Sequence, residues 1–520
     1  MPPSKVEFRL SRLDSGIALC TALVVFAVYA RTLYPGLLPG DSGEFQTLAY
    51  LLAHTHPTGY DVYLLLARLF ILIPVGSIAY RVNLFSAFMG GLTVGCVYLA
   101  GTLLSGKRWA GLFGGAVLAL STSFWSQAVI AEVYTAGSFF LALIVLCILL
   151  WDQSKRGFYL ALAATLGVLS LGVHMTVVLT APAVAVYLLL SWKDWKRLVK
   201  PILAGSLVGA ALLIGIFLLV DRNHGPESYF NTTVSPGLSL WKMSPSDVDT
   251  PWERFIWQYK VVQFQQFMFK EVKNVMPRQA QAYWNALPDE FAWLAIGLAV
   301  LGLVAAFLRR WRIGLLLVLS LVGQYIYTFN YPIWDFYVFY IPSYVFIALL
   351  ACVGVGLLLS ALRFLPKRSS MICQPIIGLA LIYLAIQPFL PARLEMAEAG
   401  KPNFPYDQYP VNWIDEGYHS YISKIVSDLD ENAIVFTDWG KIFPLFYAAQ
   451  IEQDRHDLQF LETYPQDESL GISQSELELI KQNLDSHSIY FDTNPKGLTK
   501  AGYRLVRVWR GPISLYKVSR

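Results

Sequence analysis

Two carboxylates and two imidazoles crowd into one short stretch directly behind the first apolar segment. Asp41 and Glu44 close the run Leu33-Tyr34-Pro35-Gly36-Leu37-Leu38-Pro39-Gly40-Asp41-Ser42-Gly43-Glu44, and His54 and His56 follow in His54-Thr55-His56-Pro57-Thr58-Gly59-Tyr60. Acids and imidazoles beside hydrocarbon are costly to keep, so they mark a candidate site. A carboxylate here can act as a general base towards a hydroxyl. The spacing also suits plain structure: if the helix starts at Ser42, Asp41 is its N-cap and Glu44 the third residue, a capping arrangement. In an extended segment His54 and His56 share a face and can point into one pocket. They equally suit interfacial histidines bonded to backbone or headgroups. Asp41 or Glu44 could complete a metal site with them, but the spacing does not demand one.

Further polar groups sit at the ends of apolar segments. Glu132 lies in Trp125-Ser126-Gln127-Ala128-Val129-Ile130-Ala131-Glu132-Val133-Tyr134, His174 in Gly172-Val173-His174-Met175-Thr176, Asp335 in Tyr331-Pro332-Ile333-Trp334-Asp335-Phe336-Tyr337, and Arg222 just past an apolar run. Singly, each reads as an interfacial anchor or a helix-end charge. Together, on one side of an apolar bundle, they suggest a cavity.

The elements that must hold these groups are membrane helices. Of 520 residues, 55% are hydrophobic, 14% aromatic and 15% charged, with a mean hydropathy of +0.48. That balance excludes an ordinary soluble domain and predicts a polytopic membrane protein. The net charge of +4 argues topology rather than nucleic-acid binding. Apolar spans are expected at about 16–34, 82–104, 109–126, 134–151, 158–175, 176–192, 200–220, 291–308, 313–330, 336–361 and 371–390. Lys107-Arg108, Lys155-Arg156, the basic run 193–200, Arg309-Arg310-Arg312 and Arg363 with Lys367-Arg368 all fall on the N-terminal, cytoplasmic side if there are about eleven spans. Tyr60–Pro74 is apolar but carries Asp61 and Arg68, and counting it as a span would reverse that bias. It is therefore read as part of a re-entrant or interfacial helix pair filling a first outer loop, about 35–80. Gly16–Tyr29 is read as a retained first helix rather than a signal peptide. Five cysteines without a Cys-x-x-Cys spacing read as small core residues.

This reading gives a transmembrane domain over 1–390, with a second large outer loop at 221–290, and an extracytoplasmic α/β domain over 391–520. In the latter, strands are expected at Ile434–Thr437, Leu458–Leu461, Ile489–Phe491, Tyr503–Trp509 and Ile513–Val518, and helices at Lys441–Gln450 and Ser475–Leu484.

Several strings occur in a fixed order: Asp41-Ser42-Gly43-Glu44; His56-Pro57-x-Gly59-Tyr60; Arg81-Val82-Asn83-Leu84-x-Ser86-Ala87; Phe124-Trp125-Ser126-Gln127-Ala128-x-x-Ala131-Glu132-Val133-Tyr134; and, later, Asp438 to Asp457 with Phe443-Pro444-Leu445 and Arg455-x-Asp457. In these the chain resembles a bacterial "domain of unknown function" membrane family whose eukaryotic relatives are protein O-mannosyltransferases. The likeness is dense over about 31–180. Thr58 and Asp61 depart from it, standing where the family has prolines, and 221–260 matches poorly. The resemblance implies a GT-C glycosyltransferase bundle with a polyprenyl-phosphate sugar as donor. It also implies Asp41 as catalytic base, with Glu44, His54, His56 and Glu132 around it. A lipid-borne donor must be met at the membrane, and its departing phosphate needs a cation, for which Arg81 or Arg222 is suited. The expected partners are the lipid carrier and a protein, glycan or lipid acceptor. The expected setting is a bacterial inner membrane with the N-terminus cytoplasmic. The rival readings are a transporter or flippase for a lipid-linked sugar, which would favour midplane charges and inverted repeats, and a non-catalytic surface-glycan assembly factor.

Overall fold

The structure, a computed structural model, describes residues 8–191, 195–332, 336–404, 417–463, 471–510 and 514–520. Seven helices among them are long and apolar enough to cross a membrane, and three shorter apolar ones lie at Arg108–Leu120, Gly157–Gly172 and Met175–Leu189. The 36-residue helix Trp293–Thr328 leaves helical geometry at Arg310, inside the basic cluster expected to separate two spans. Counted as two, it brings the apolar segments to the eleven expected from hydropathy. The protein is a polytopic helical membrane protein with a small sheet domain near its C-terminus.

Its residues divide into two compact units, each interrupted along the chain. The first takes Met1–Tyr34, Asn83–Ile214 and Phe264–Asn412; the second takes Pro35–Val82, Gly215–Gln263 and Trp413–Arg520. In the first unit small residues bring helices into contact, as membrane interfaces require where no hydrophobic gradient drives association. A Cβ on Gly302 or on Gly354 would strike the backbone of the other's helix, and Cys352 fills the space between Gly101 and Gly114. Cys96, Cys147 and Cys352 are buried as expected, whereas Cys20 is exposed and Cys373 half-buried. Cys20 is therefore not a core residue, and Cys373 is only partly covered.

In the second unit, the first loop folds as two short helices, Gly40–Leu51 and Asp61–Ile71, too short to span a bilayer. The C-terminal segment forms a five-stranded sheet of order β2-β1-β3-β5-β4, with β1 Ile434–Thr437, β2 Gln459–Glu462, β3 Ile489–Phe491, β4 Arg504–Arg510 and β5 Ser514–Ser519. β1 pairs in parallel with both β2 and β3. Strands β1 and β3 are buried throughout, which is why they read as unbroken apolar runs. Phe436 stacks on Phe491 at 4.6 Å over a core completed by Leu461, Ile480, Leu498 and Val518.

Candidate functional site

The Gly40–Leu51 helix begins two residues before the expected start. Its N-cap is Pro39, with no side-chain cap, and Gly40 takes a φ of +61°, which glycine adopts without a Cβ penalty. Asp41 is therefore the second helical residue and Glu44 the fifth, so the expected capping pair does not form. Each helical step turns about 100°, and the early start swings Glu44 off the helix end into the interior. Gly43 is required here by packing. A Cβ on it would meet the Leu38 carbonyl and lie 3.0 Å from the Pro444 ring. Thr47, one turn on, donates its hydroxyl to the Phe443 carbonyl at 2.9 Å. The helix is thus seated against the helix Trp439–Phe446 that follows β1.

Glu44 is fully buried. Its carboxylate accepts the His56 backbone N–H at 2.7 Å and lies 2.5 Å from His56 Nδ1. Burial pushes the Glu44 carboxyl above the usual carboxylate range, with the imidazole pulling against it. A carboxylate at Nδ1 favours a proton there, leaving Nε2 to face Asp41 Oδ2 at 3.8 Å. Asp41 is the open end of this row, its side chain 40% exposed. Its Oδ1 accepts the Trp439 indole N–H at 2.7 Å, and a carboxylate in the first turn also gains from the helix dipole. Tyr60 and Phe45 wall the imidazole at ring distances of 5.0 and 6.0 Å.

His54 points elsewhere, and the expectation that both imidazoles enter one pocket does not hold. His56 falls at a bend, so strict alternation of faces stops between them. The two His54 nitrogens lie within hydrogen-bond distance of carboxylates, Nδ1 at 3.1 Å from Asp61 Oδ1 and Nε2 at 3.0 Å from Asp221 Oδ1. Arg254 forks onto Asp221 through Nε at 2.7 Å and Nη2 at 2.9 Å. Burial alone would lower the His54 pKa, but the Asp61 and Asp221 carboxylates outweigh it and raise it. The ring stacks on Phe217 at 4.6 Å. Sequence reasoning missed Arg254 and Asp221. The available signal was charge at the edge of an apolar run, which needs a partner.

The remaining candidates divide. The Arg81 guanidinium donates to the carbonyls of Ile71, Val75 and Gly76 and so closes the end of the Asp61–Ile71 helix. Arg222 is exposed. Glu132 and His174 belong to the other unit. There Glu132 exchanges backbone hydrogen bonds with the Ser86 hydroxyl. His174 Nδ1 sits 2.5 Å from the Thr176 hydroxyl, with its ring edge-on to Tyr134. Asp335 lies outside the described residues. No group of three or more His, Cys, Asp or Glu among the described residues is arranged to hold a metal ion.

Residues 41–198 match the family described as protein O-mannosyl-transferase TMEM260, N-terminal domain. The chain is 33% identical over 152 residues to protein O-mannosyl-transferase TMEM260 of Mus musculus, covering 29% of this chain and 22% of that protein. It is 22% identical over 232 residues to protein O-mannosyl-transferase tmem260 of Dictyostelium discoideum, covering 40% of this chain and 28% of that one. The matches thus span about a quarter of these relatives' length. In structure, the Archaeoglobus fulgidus oligosaccharyltransferase in its apo form superposes with a TM-score of 0.51 at 11% identity, over 91% of this chain and 69% of that one. The likeness is thus in sequence to protein O-mannosyl-transferases over residues 41–198, and in fold to the archaeal oligosaccharyltransferase.

Proposed function

We propose that the protein is an integral-membrane glycosyltransferase that moves a hexose, mannose by its relatives' name, from a polyprenyl-phosphate carrier to an acceptor hydroxyl. The observation that carries the reading is Asp41: a half-exposed carboxylate with one oxygen engaged and the other turned to an imidazole backed by a buried acid. In the reaction the acceptor O–H gives its proton to Asp41 as its oxygen bonds to the sugar C1. The bond from C1 to the phosphate oxygen breaks, and polyprenyl phosphate leaves with the electron pair. Arg222, exposed and next to Asp221, is the candidate cation for that phosphate; the Arg81 guanidinium is already engaged by backbone carbonyls. Direct attack opposite the leaving group inverts the anomeric centre, and an NMR spectrum of the product showing retention would defeat that step. We assign the N-terminus to the cytoplasm and residues 391–520 to the outer face, the arrangement that keeps the basic loops inside.

The test is Asp41→Asn, assayed in nanodiscs with polyprenyl-phosphate-mannose and Ser/Thr peptides. Turnover should fall by about a thousandfold or more, within the range that general-base catalysis contributes, while the protein stays monodisperse. Full turnover in that variant removes Asp41 from the role.

A further inference from the structure

Trp439 is the first residue of the helix that follows β1, at the carboxyl edge of the parallel strands, where α/β sheets open a crevice. Its indole N–H reaches Asp41 Oδ1 at 2.7 Å across a sequence separation of 398 residues. The ring has little freedom to turn. It meets His56 edge-on at 5.5 Å, Tyr229 at 5.8 Å and Phe443 at 5.2 Å, three rings from three segments of the second unit. An indole offers one donor and no acceptor, so a ring held this way occupies one carboxylate oxygen and cannot be exchanged for a competing geometry.

We infer that Trp439 is a positioning residue that selects Oδ2 as the proton-accepting oxygen of Asp41. With Oδ1 engaged by the indole, Oδ2 is the oxygen that faces His56 Nε2 across 3.8 Å, too long for a direct hydrogen bond. Oδ2 is thus presented to an incoming hydroxyl without being engaged by the imidazole. Removing the indole N–H frees the carboxylate to rotate and to bond His56 directly, which takes the oxygen out of line. A misplacement of about 1 Å can cost on the order of a hundredfold in rate. This inference rests on Asp41 being the base.

The experiment compares Trp439→Phe with wild type, using the full chain in nanodiscs with polyprenyl-phosphate-mannose and Ser/Thr peptides as probe, scored as polyprenyl phosphate released. Phenylalanine keeps the aromatic contacts and deletes the donor. The expected result is a fall in kcat of about ten- to a hundredfold with KM for the donor unchanged. In thermal unfolding, Trp439→Phe should lower the midpoint in wild type but add nothing to Asp41→Ala, because the bond it removes is already gone there. An unchanged kcat overturns the inference, as does a raised KM with kcat intact, which would make Trp439 a substrate contact. Additive unfolding effects overturn it too. If Asp41→Asn is inactive while Trp439→Phe matches wild type, this inference fails alone; if Asp41→Asn is fully active, the base reading fails with it.

Discussion

His54 and His56 are one residue apart in the chain and opposite in situation. His54 is closed on both nitrogens by carboxylates, one of which is also forked by Arg254, so neither ring nitrogen is left to offer a substrate. His56 is backed by Glu44 on one nitrogen and leaves the other 3.8 Å from a carboxylate that reaches solvent. The same side chain is a structural tie when carboxylates close both nitrogens and a candidate for chemistry when one is held by a buried acid and the other faces a carboxylate that reaches solvent.

The comparison can be broken most directly at His54. His54→Ala leaves Asp61 and Asp221 facing a hole; removing one partner of a buried ion pair costs about 3–5 kcal/mol, to be read as a loss of thermal stability or of monodisperse protein. His56→Ala should keep most of that stability and lose turnover instead. Equal stability in the two variants would erase the distinction. A sharper pair swaps the acids behind each ring. Glu44→Gln should lower turnover by about tenfold or more while the His56 backbone N–H keeps an acceptor, whereas Asp61→Asn should lower the unfolding midpoint and leave turnover little changed.

The smallest effect is one of pH. His54 has a raised pKa in the fold, so its contribution is fully present below the ordinary value of 6.5 and is lost as pH rises through the folded value. The stability advantage of wild type over His54→Gln, measured by thermal unfolding in detergent from pH 6 upward, should therefore shrink with rising pH. A constant or growing difference would mean the ring is neutral.

Much of the scaffold was legible because burial imposes local patterns. β1 and β3 are strands at the residues expected, since strands covered on both faces show as short apolar runs between polar ones. The charge bias of the basic loops led to a helix pair in the first loop, and Asp61 and Arg68 have partners there: Asp61 pairs with His54, and Arg68 donates to the carbonyl of Tyr50. The details of the site were less legible. A two-residue difference in where a helix starts turned Glu44 from a cap into a buried acid, and glycine at position 40 allows that start without announcing it. Trp439 could not be found at all by local reasoning, because its link to Asp41 joins residues 398 apart and neither neighbourhood carries a mark of the other.

That separation has a consequence for how the protein is made. At synthesis rates of about 5–20 residues per second, Asp41 leaves the ribosome some tens of seconds before the tryptophan that engages it. The second unit is collected from residues 35–82, 215–263 and 413–520, so it cannot close until the last of these has been translated. Throughout that interval the loop carrying Asp41 waits without its seat at Phe443 and Pro444. A nascent chain stopped before β1 would have membrane helices and an acid, but neither the seat at Phe443 and Pro444 nor the indole that engages Asp41.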